Sequence, residues 1–154
     1  MTANQPAYVA LLLAHATAAL IGFGSVALAG YYARRLGMPG EEAERFFSSK
    51  RTVSRSMVWL TGILGLALLL LNHRSVRLAS YPWLRIVVLD YLAASAFVAM
   101  AIWPLEARIR EALASGAEDM AKARAAGARL VKRSLVSDLA LVLAAVLMVT
   151  QPGR

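Results

Sequence analysis

Four long apolar stretches, separated by charged segments, constrain this chain more than any other feature of its sequence. They cover about 8–32, 56–72, 83–103 and 134–150. As helices, each can cross a hydrocarbon core of roughly 30 Å, the shorter ones with help from flanking residues. The chain is 59% hydrophobic, whereas soluble domains contain roughly 45–50% apolar residues. The sequence therefore predicts an all-α, polytopic membrane protein.

The segments between the spans predict one transmembrane domain over 1–154, built from two helical hairpins. The second and fourth spans are short, but helix-compatible sequence at 41–55 and 118–133 precedes them and can continue the same helices into water. Gly37-Met38-Pro39-Gly40 is typical of a helix that stops and restarts, and Ser115-Gly116 is a weaker signal of that kind. We expect a four-transmembrane-helix bundle of two antiparallel hairpins, with helices extended into the cytoplasm.

The distribution of basic residues predicts the orientation of the bundle. Of 17 Lys and Arg residues, 13 lie in the first and third connections, so the positive-inside rule places both connections in the cytoplasm. Both termini are then outside a bacterial inner membrane, and Trp59 and Trp103 mark the inner interface. The net charge of +8 is explained by topology and contact with anionic lipid, because nucleic-acid binding needs a basic cluster on a solvated face. The first apolar stretch has no basic region before it, so we expect it to be retained as a span.

Three ionisable residues fall inside the spans, where such groups are functional candidates by default. They are His15, Asp90 and Asp138. His15 and Asp90 each lie seven residues past the outer edge of their span, so both are expected roughly 10 Å deep. We predict that they contact each other, directly or through one water, and Arg85 either joins them or reaches the surface. The alternatives for His15 are a lipid-facing or water-facing position, or a proton, ligand or cofactor role.

Asp138 lies near the cytoplasmic end of the fourth span, close to several cations. Arg55 and Arg51 stand at the mouth of the second span, and Lys132 and Arg133 precede Asp138 in sequence. A carboxylate this close to the interface can reach a cation or water, so we expect a boundary ion pair. A proton entry site is the alternative.

No cofactor is predicted, although one alternative stays open. The chain has no cysteine, which excludes disulfides, thiolate metal ligands and covalently attached c-type haem. Two-histidine ligation of haem would need His15 and His73, whose expected depths differ by roughly 10 Å. Ligation of haem or a chlorophyll-type pigment by His15 alone survives this objection. No HExxH, GxSxG, P-loop or dinucleotide motif is present, so an enzyme is not favoured.

Several short motifs resemble those of a family of bacterial four-helix integral membrane proteins of unknown function. They are His15 followed by Gly22 and Gly24, Arg34-Arg35, Ser54-Arg55 leading to Gly62 and Gly65, and Met148 through Pro152-Gly153. The resemblance covers nearly the whole chain, but a lysine common before the last proline of the family is Gln151 here. More distantly, the layout is similar to copper-resistance membrane proteins and to bacterial protoporphyrinogen oxidase, whose lysine-and-histidine signature is not evident.

The expected function is that of a small integral membrane protein that acts through helix packing. It would be an accessory subunit of a larger membrane complex or a homo-oligomer, with lipid and other membrane subunits as partners. The alternative is a haem- or pigment-linked redox protein that uses His15. A third possibility is a proton-coupled transporter, which would need a water-accessible line from Asp138 to Asp90 and His15.

Overall fold

The described part of the chain is helical and contains no strand, as the sequence predicts. The computed structural model describes residues 5–38, 41–49, 51–71, 82–116 and 119–150. In chain order the helices are α1 (Gln5–Arg34), α2 (Glu42–Ser48), α3 (Thr52–Leu71), α4 (Pro82–Phe97), α5 (Trp103–Ala114) and α6 (Met120–Thr150), and a π turn (Val98–Ile102) joins α4 to α5.

Four helical segments are long and apolar enough to cross a membrane, which is the number of apolar segments that the sequence predicts. They are Pro6–Arg34, Thr52–Leu71, Pro82–Ala114 and Met120–Thr150. The last begins well before 134, so the predicted extension of the fourth span into 118–133 is confirmed from Met120 onward. The third also continues past 103, to Ala114.

The predicted continuous helix over 41–55 is wrong. The helix α2 ends at Ser48, Ser49 is extended with φ −72° and ψ 141°, and α3 begins only at Thr52. The Ser49 hydroxyl donates to the Phe46 carbonyl at 2.9 Å, a local bond of the kind that competes with helix continuation. The break allows α2 to pack across the ends of α1 and α5 instead of pointing away from the bundle.

Helix α1 lies at the centre of the arrangement. It packs extensively against both α3 and α6, while α6 also packs against α4 and α5, and α3 meets α4 at only a few points. Close approach of α1 and α3 requires Gly22, because a Cβ there would lie 2.8 Å from the Val58 amide nitrogen. Small residues at such crossings are typical of helices that pack in lipid.

The outer surface of the four long helices is covered by large apolar side chains, which we call the apolar girdle. Along the chain, the girdle ends at Met100 in the third long helix and begins again at Leu135 in the fourth. These two residues are 74% and 53% exposed. In the described residues between these two positions, no large apolar side chain is exposed. We call the end of the bundle beyond this level the basic end; it comprises the end of α1, the start of α3, the start of α6, and α2 and α5.

The π turn lies at the boundary between the girdle and the basic end. The Trp103 amide donates to the Val98 carbonyl five residues back, and the next residue, Pro104, has no amide hydrogen to donate. The Arg133 guanidinium of α6 donates to the Ala101 carbonyl at 2.9 Å. A cation from a neighbouring helix therefore bonds to backbone at the level where the hydrogen-bond pattern changes.

Candidate functional site

A carboxylate buried at the basic end, Glu106, is the centre of the most concentrated group of charges in the described structure. Glu106 is 3% exposed and lies on the side of α5 that carries the buried residues Leu105 and Ile109. One carboxylate oxygen accepts from Arg51 at 2.9 Å and the other accepts from Arg55 at 3.4 Å. A charge taken this far out of water is stable only when it is paired and hydrogen-bonded, and both conditions are met here.

Arg51 is held by three separate contacts inside the bundle. Besides Glu106, its guanidinium donates to the Ser25 carbonyl at 3.2 Å and lies over the Phe46 ring, 3.8 Å from the centroid. Its side chain is only 10% exposed. Burial lowers the pKa of the Arg51 guanidinium, and the adjacent Glu106 carboxylate partly offsets this change. Arg51 therefore joins α1, α2 and α5 through one cation.

Arg55, one turn further along α3, is held less tightly than Arg51. Its guanidinium lies 5.3 Å from the centroid of the Trp103 ring, and Trp103 in turn makes an edge-to-face contact with Trp59 at 6.2 Å. The side chain is 32% exposed, while its Nε is buried and has no hydrogen-bond partner. Two guanidinium groups thus share one carboxylate, which leaves an excess positive charge beside the tryptophan pair.

The helix α2 covers this cluster from the side of the basic end. Phe47 is 1% exposed, and its carbonyl accepts from Arg110 of α5 at 3.1 Å. Phe46 lies against Tyr32 of α1, with ring centroids 4.3 Å apart. The cluster therefore fixes α2 to the bundle and the bundle helices to one another.

His15, a predicted site residue, packs against α3. Its Nδ1 lies 2.9 Å from the Thr61 carbonyl, and its Cε1 lies beside Gly65. Because a carbonyl oxygen only accepts hydrogen bonds, Nδ1 must carry the hydrogen. In the neutral ring, Nε2 then keeps its lone pair.

The structure does not join His15 to Asp90 directly. No hydrogen bond or ion pair links the two among the residues it describes, and the His15 Nδ1 has the Thr61 carbonyl as its partner. The predicted contact through one water stays a prediction. Asp90 is half-buried and precedes Tyr91, whose hydroxyl donates to the Val58 carbonyl at 2.8 Å.

The structure gives little information on two further predicted positions, Arg85 and His73. Arg85 is exposed on α4, and His73 lies outside the described residues. No account of a two-histidine site therefore follows from the structure.

Among the described residues, Asp138 forms no salt bridge with the cations that are predicted to pair with it. Arg51 and Arg55 bond to Glu106 instead, because α1 lies between α3 and α6. The salt bridges of the described chain include none to Asp138, which lines a groove of about 180 Å³ with Gly30 and Arg34. Gly30 of α1 faces Ser134, and Asp138 lies about one turn further along the antiparallel α6, so the levels of His15 and Asp138 differ by roughly 16 Å at 1.5 Å per residue.

Glu106 is the site residue that the sequence analysis missed. Buried apolar residues recur at helical spacing through Val98, Ile102, Leu105 and Ile109, past the point where the predicted span ended at 103. A carboxylate next to Leu105 within this pattern lies at the edge of the buried stripe. This continuing periodicity is the signal that could have identified Glu106.

Comparisons with known proteins identify no relative. No protein-family model matches the chain, and no curated protein or solved structure matches it significantly. The resemblance to bacterial four-helix membrane proteins stays a prediction. Among the described residues, no group of three or more histidine, aspartate or glutamate side chains is placed to hold a metal ion.

Proposed function

We propose that the chain is a multi-pass protein of the bacterial inner membrane that acts through helix packing. It serves as an accessory subunit of a larger membrane complex or as a homo-oligomer. The observation that carries the proposal is that three polar side chains of the long helices, His15, Tyr91 and Arg133, bond to backbone of neighbouring segments and so fix the helices relative to one another.

Three hydrogen bonds illustrate this use of polar groups. His15 of α1 bonds to the Thr61 carbonyl of α3, Tyr91 of α4 bonds to the Val58 carbonyl of α3, and Arg133 of α6 bonds to the π turn. The Glu106 cluster adds a fourth connection, between α5 and Arg55 of α3. Interhelical bonds of this kind are worth about 1 kcal/mol each in a membrane and add specificity to packing. A fixed outer surface is what a neighbouring membrane helix needs for recognition.

The order of contacts supports antiparallel hairpins inserted in a bilayer. Along α1, His15 lies beside Gly65, Gly22 beside Val58, and the Ser25 carbonyl beside Arg51, so one helix ascends as the other descends. The apolar girdle is the surface expected against lipid. With the basic end in the cytoplasm, both termini lie outside, and the cations of that end face anionic headgroups.

Photocrosslinking in native membranes tests the packing function. A photoreactive residue at Leu139 or Leu89, which are 62% and 65% exposed in the girdle, should produce crosslinked species larger than the monomer. The matched control is the same residue at Val98, which is 0% exposed and should give none. Mass spectrometry of the species separates another subunit from a second copy of the chain. Only monomer at every girdle position would refute the proposal.

The orientation has its own test, which uses the absence of native cysteine. Single cysteines placed at Ala3 and Ser75 should react with an impermeant maleimide from outside intact cells. A cysteine at Ser115 should react only after lysis, because the basic end is cytoplasmic. Labelling in the opposite pattern would overturn the orientation.

A haem- or pigment-linked function is the second candidate, and the His15 geometry favours it. Histidines that bind metals commonly donate their other ring hydrogen to a backbone carbonyl, as His15 does to Thr61. His15 would then hold a haem or a chlorophyll-type pigment through Nε2, and the bound group would supply redox or light-absorbing chemistry. Protein purified after haem supplementation should show a visible band that is lost in His15→Ala. A spectrum unchanged by that substitution excludes this candidate.

A further inference from the structure

We propose that Arg55, together with Trp59 and Trp103, binds the phosphate of an anionic phospholipid in the leaflet at the basic end. The inference rests on the proposed membrane insertion and adds a defined ligand site to it. We call these three residues the headgroup site.

The charge balance of the Glu106 cluster gives the first argument. Arg51 uses its guanidinium on the carboxylate, a backbone carbonyl and an aromatic ring, and it is nearly buried. Arg55 makes one long bond, at 3.4 Å, and keeps a buried Nε without a partner. An arginine presents five donors in a planar fork that matches the oxygens of a phosphate. The excess charge therefore lies on Arg55, whose side chain is 32% exposed and can present the outer part of its guanidinium to a phosphate.

The level of Arg55 along the bundle gives the second argument. It lies on the first turns of α3, and the exposed apolar residues Trp59, Leu66 and Leu70 follow it on the same side of that helix. Tryptophan is enriched where headgroups meet acyl chains, and Trp59 is 52% exposed. A phosphate at Arg55 would therefore place its acyl chains along the girdle of α3. The few contacts between α3 and α4 leave this side open to lipid.

Three other arginines of the basic end are engaged by backbone of the chain itself. Arg110, Arg124 and Arg133 donate to backbone carbonyls of the chain itself. A groove of about 470 Å³ between α5 and α6 carries both signs of charge: Arg108, Lys122 and Arg129 together with Glu111 and Asp119. A region of mixed sign selects an anion less strongly than one with an excess of positive charge. Arg55 combines a partly exposed positive charge with a position beside the tryptophan pair.

Quenching of tryptophan fluorescence by brominated lipid tests this site directly. The full chain carries three tryptophans, so a Trp83→Phe background leaves emission from Trp59 and Trp103 alone. The protein is placed in nanodiscs of phosphatidylcholine that contain brominated phosphatidylglycerol. Quenching should report about fivefold enrichment of the anionic lipid beside the two tryptophans, which corresponds to a binding free energy of ~1 kcal/mol at 1.4 kcal/mol per tenfold. Brominated phosphatidylcholine at the same mole fraction is the reference lipid. Arg55→Gln should remove the enrichment, whereas Arg129→Gln, in the mixed groove, should keep it.

The outcomes separate this inference from the proposed function. Release of the chain from membranes by carbonate would refute insertion itself. If the chain stays in the membrane and the two brominated lipids quench the Trp83→Phe protein equally, the headgroup site is overturned and the proposed function is not. Persistence of the enrichment in a folded Arg55→Gln protein would also overturn it. Inorganic phosphate is added as a further arm: loss of the enrichment at millimolar phosphate would assign the site to free phosphate and overturn the lipid assignment.

Discussion

Replacement of Glu106 by glutamine should destabilise the folded bundle by about 3 kcal/mol. The pair with Arg51 is nearly dry on both sides, at 10% and 4% exposure, and loss of one partner of a buried pair costs about 3–5 kcal/mol. Glutamine retains an oxygen that accepts from Arg51, which recovers about 1 kcal/mol of a neutral hydrogen bond. The pair with Arg55 is partly exposed and longer, so its loss adds less than about 1 kcal/mol.

A double-mutant cycle shows whether this cost comes from a stranded cation. Arg51→Met removes the guanidinium, so Glu106→Gln in that background should cost about 2 kcal/mol less than in the wild-type chain. Glu111→Gln is the matched control, since Glu111 is exposed on the same helix and should change stability by less than about 0.5 kcal/mol.

Reversible unfolding in mixed micelles of mild detergent and dodecyl sulfate provides the measurement. Trp59 and Trp103 lie beside the cluster and report its opening by fluorescence, while circular dichroism reports loss of helix. A Glu106→Gln protein as stable as the Glu111→Gln control would refute the conclusion that the cluster holds the helices together. So would a double mutant whose loss equals the sum of the single losses.

Two further substitutions test the packing of α3 by the same unfolding assay. Gly22→Ala should cost more than about 2 kcal/mol, because the new methyl group would meet backbone atoms of Val58 and Met57 at 2.8 and 3.0 Å. Gly24→Ala is its control: nothing lies within 4 Å of that Cβ, so the better helix propensity of alanine should leave stability unchanged or raise it by up to about 1 kcal/mol. Equal effects of the two would refute close packing at Gly22. Tyr91→Phe should cost about 1 kcal/mol through loss of its bond to Val58, and an unchanged stability would show that this bond contributes nothing.

The helices could be predicted because lipid imposes a strong requirement on composition and length. Apolar runs of this size can bury their backbone polar groups only as helices, and the four long helices match them. The break at Ser49 was harder to foresee, because 41–55 has ordinary helix-compatible composition. Its cause is a tertiary demand: Arg51 and Phe46 must both reach the Glu106 cluster.

Residue partners were less accessible to prediction than residue depths. Counting along a helix gives the level of His15 but not the direction in which its ring points, so Thr61 could not be distinguished from Asp90. In the same way, proximity to the cytoplasmic boundary suggested Arg55 for Asp138, although α1 separates α3 from α6. Both predictions depend on the order of helices around the bundle, which one sequence does not specify.

The π turn also sets the direction in which the side chains of α5 point relative to those of α4. A helix advances about 100° per residue, so one extra residue in the turn rotates everything after it by about that angle relative to α4. Without the π turn, the Glu106 side chain would be displaced about a quarter of the way around the helix from its two arginines. Both α4 and α5 pack against α6, and α5 also packs against α2. Deletion of one residue within Val98–Ile102 would restore a regular α-helix from α4 to α5 and turn Glu106 away from its arginines. The length of this segment is therefore constrained as well as its composition.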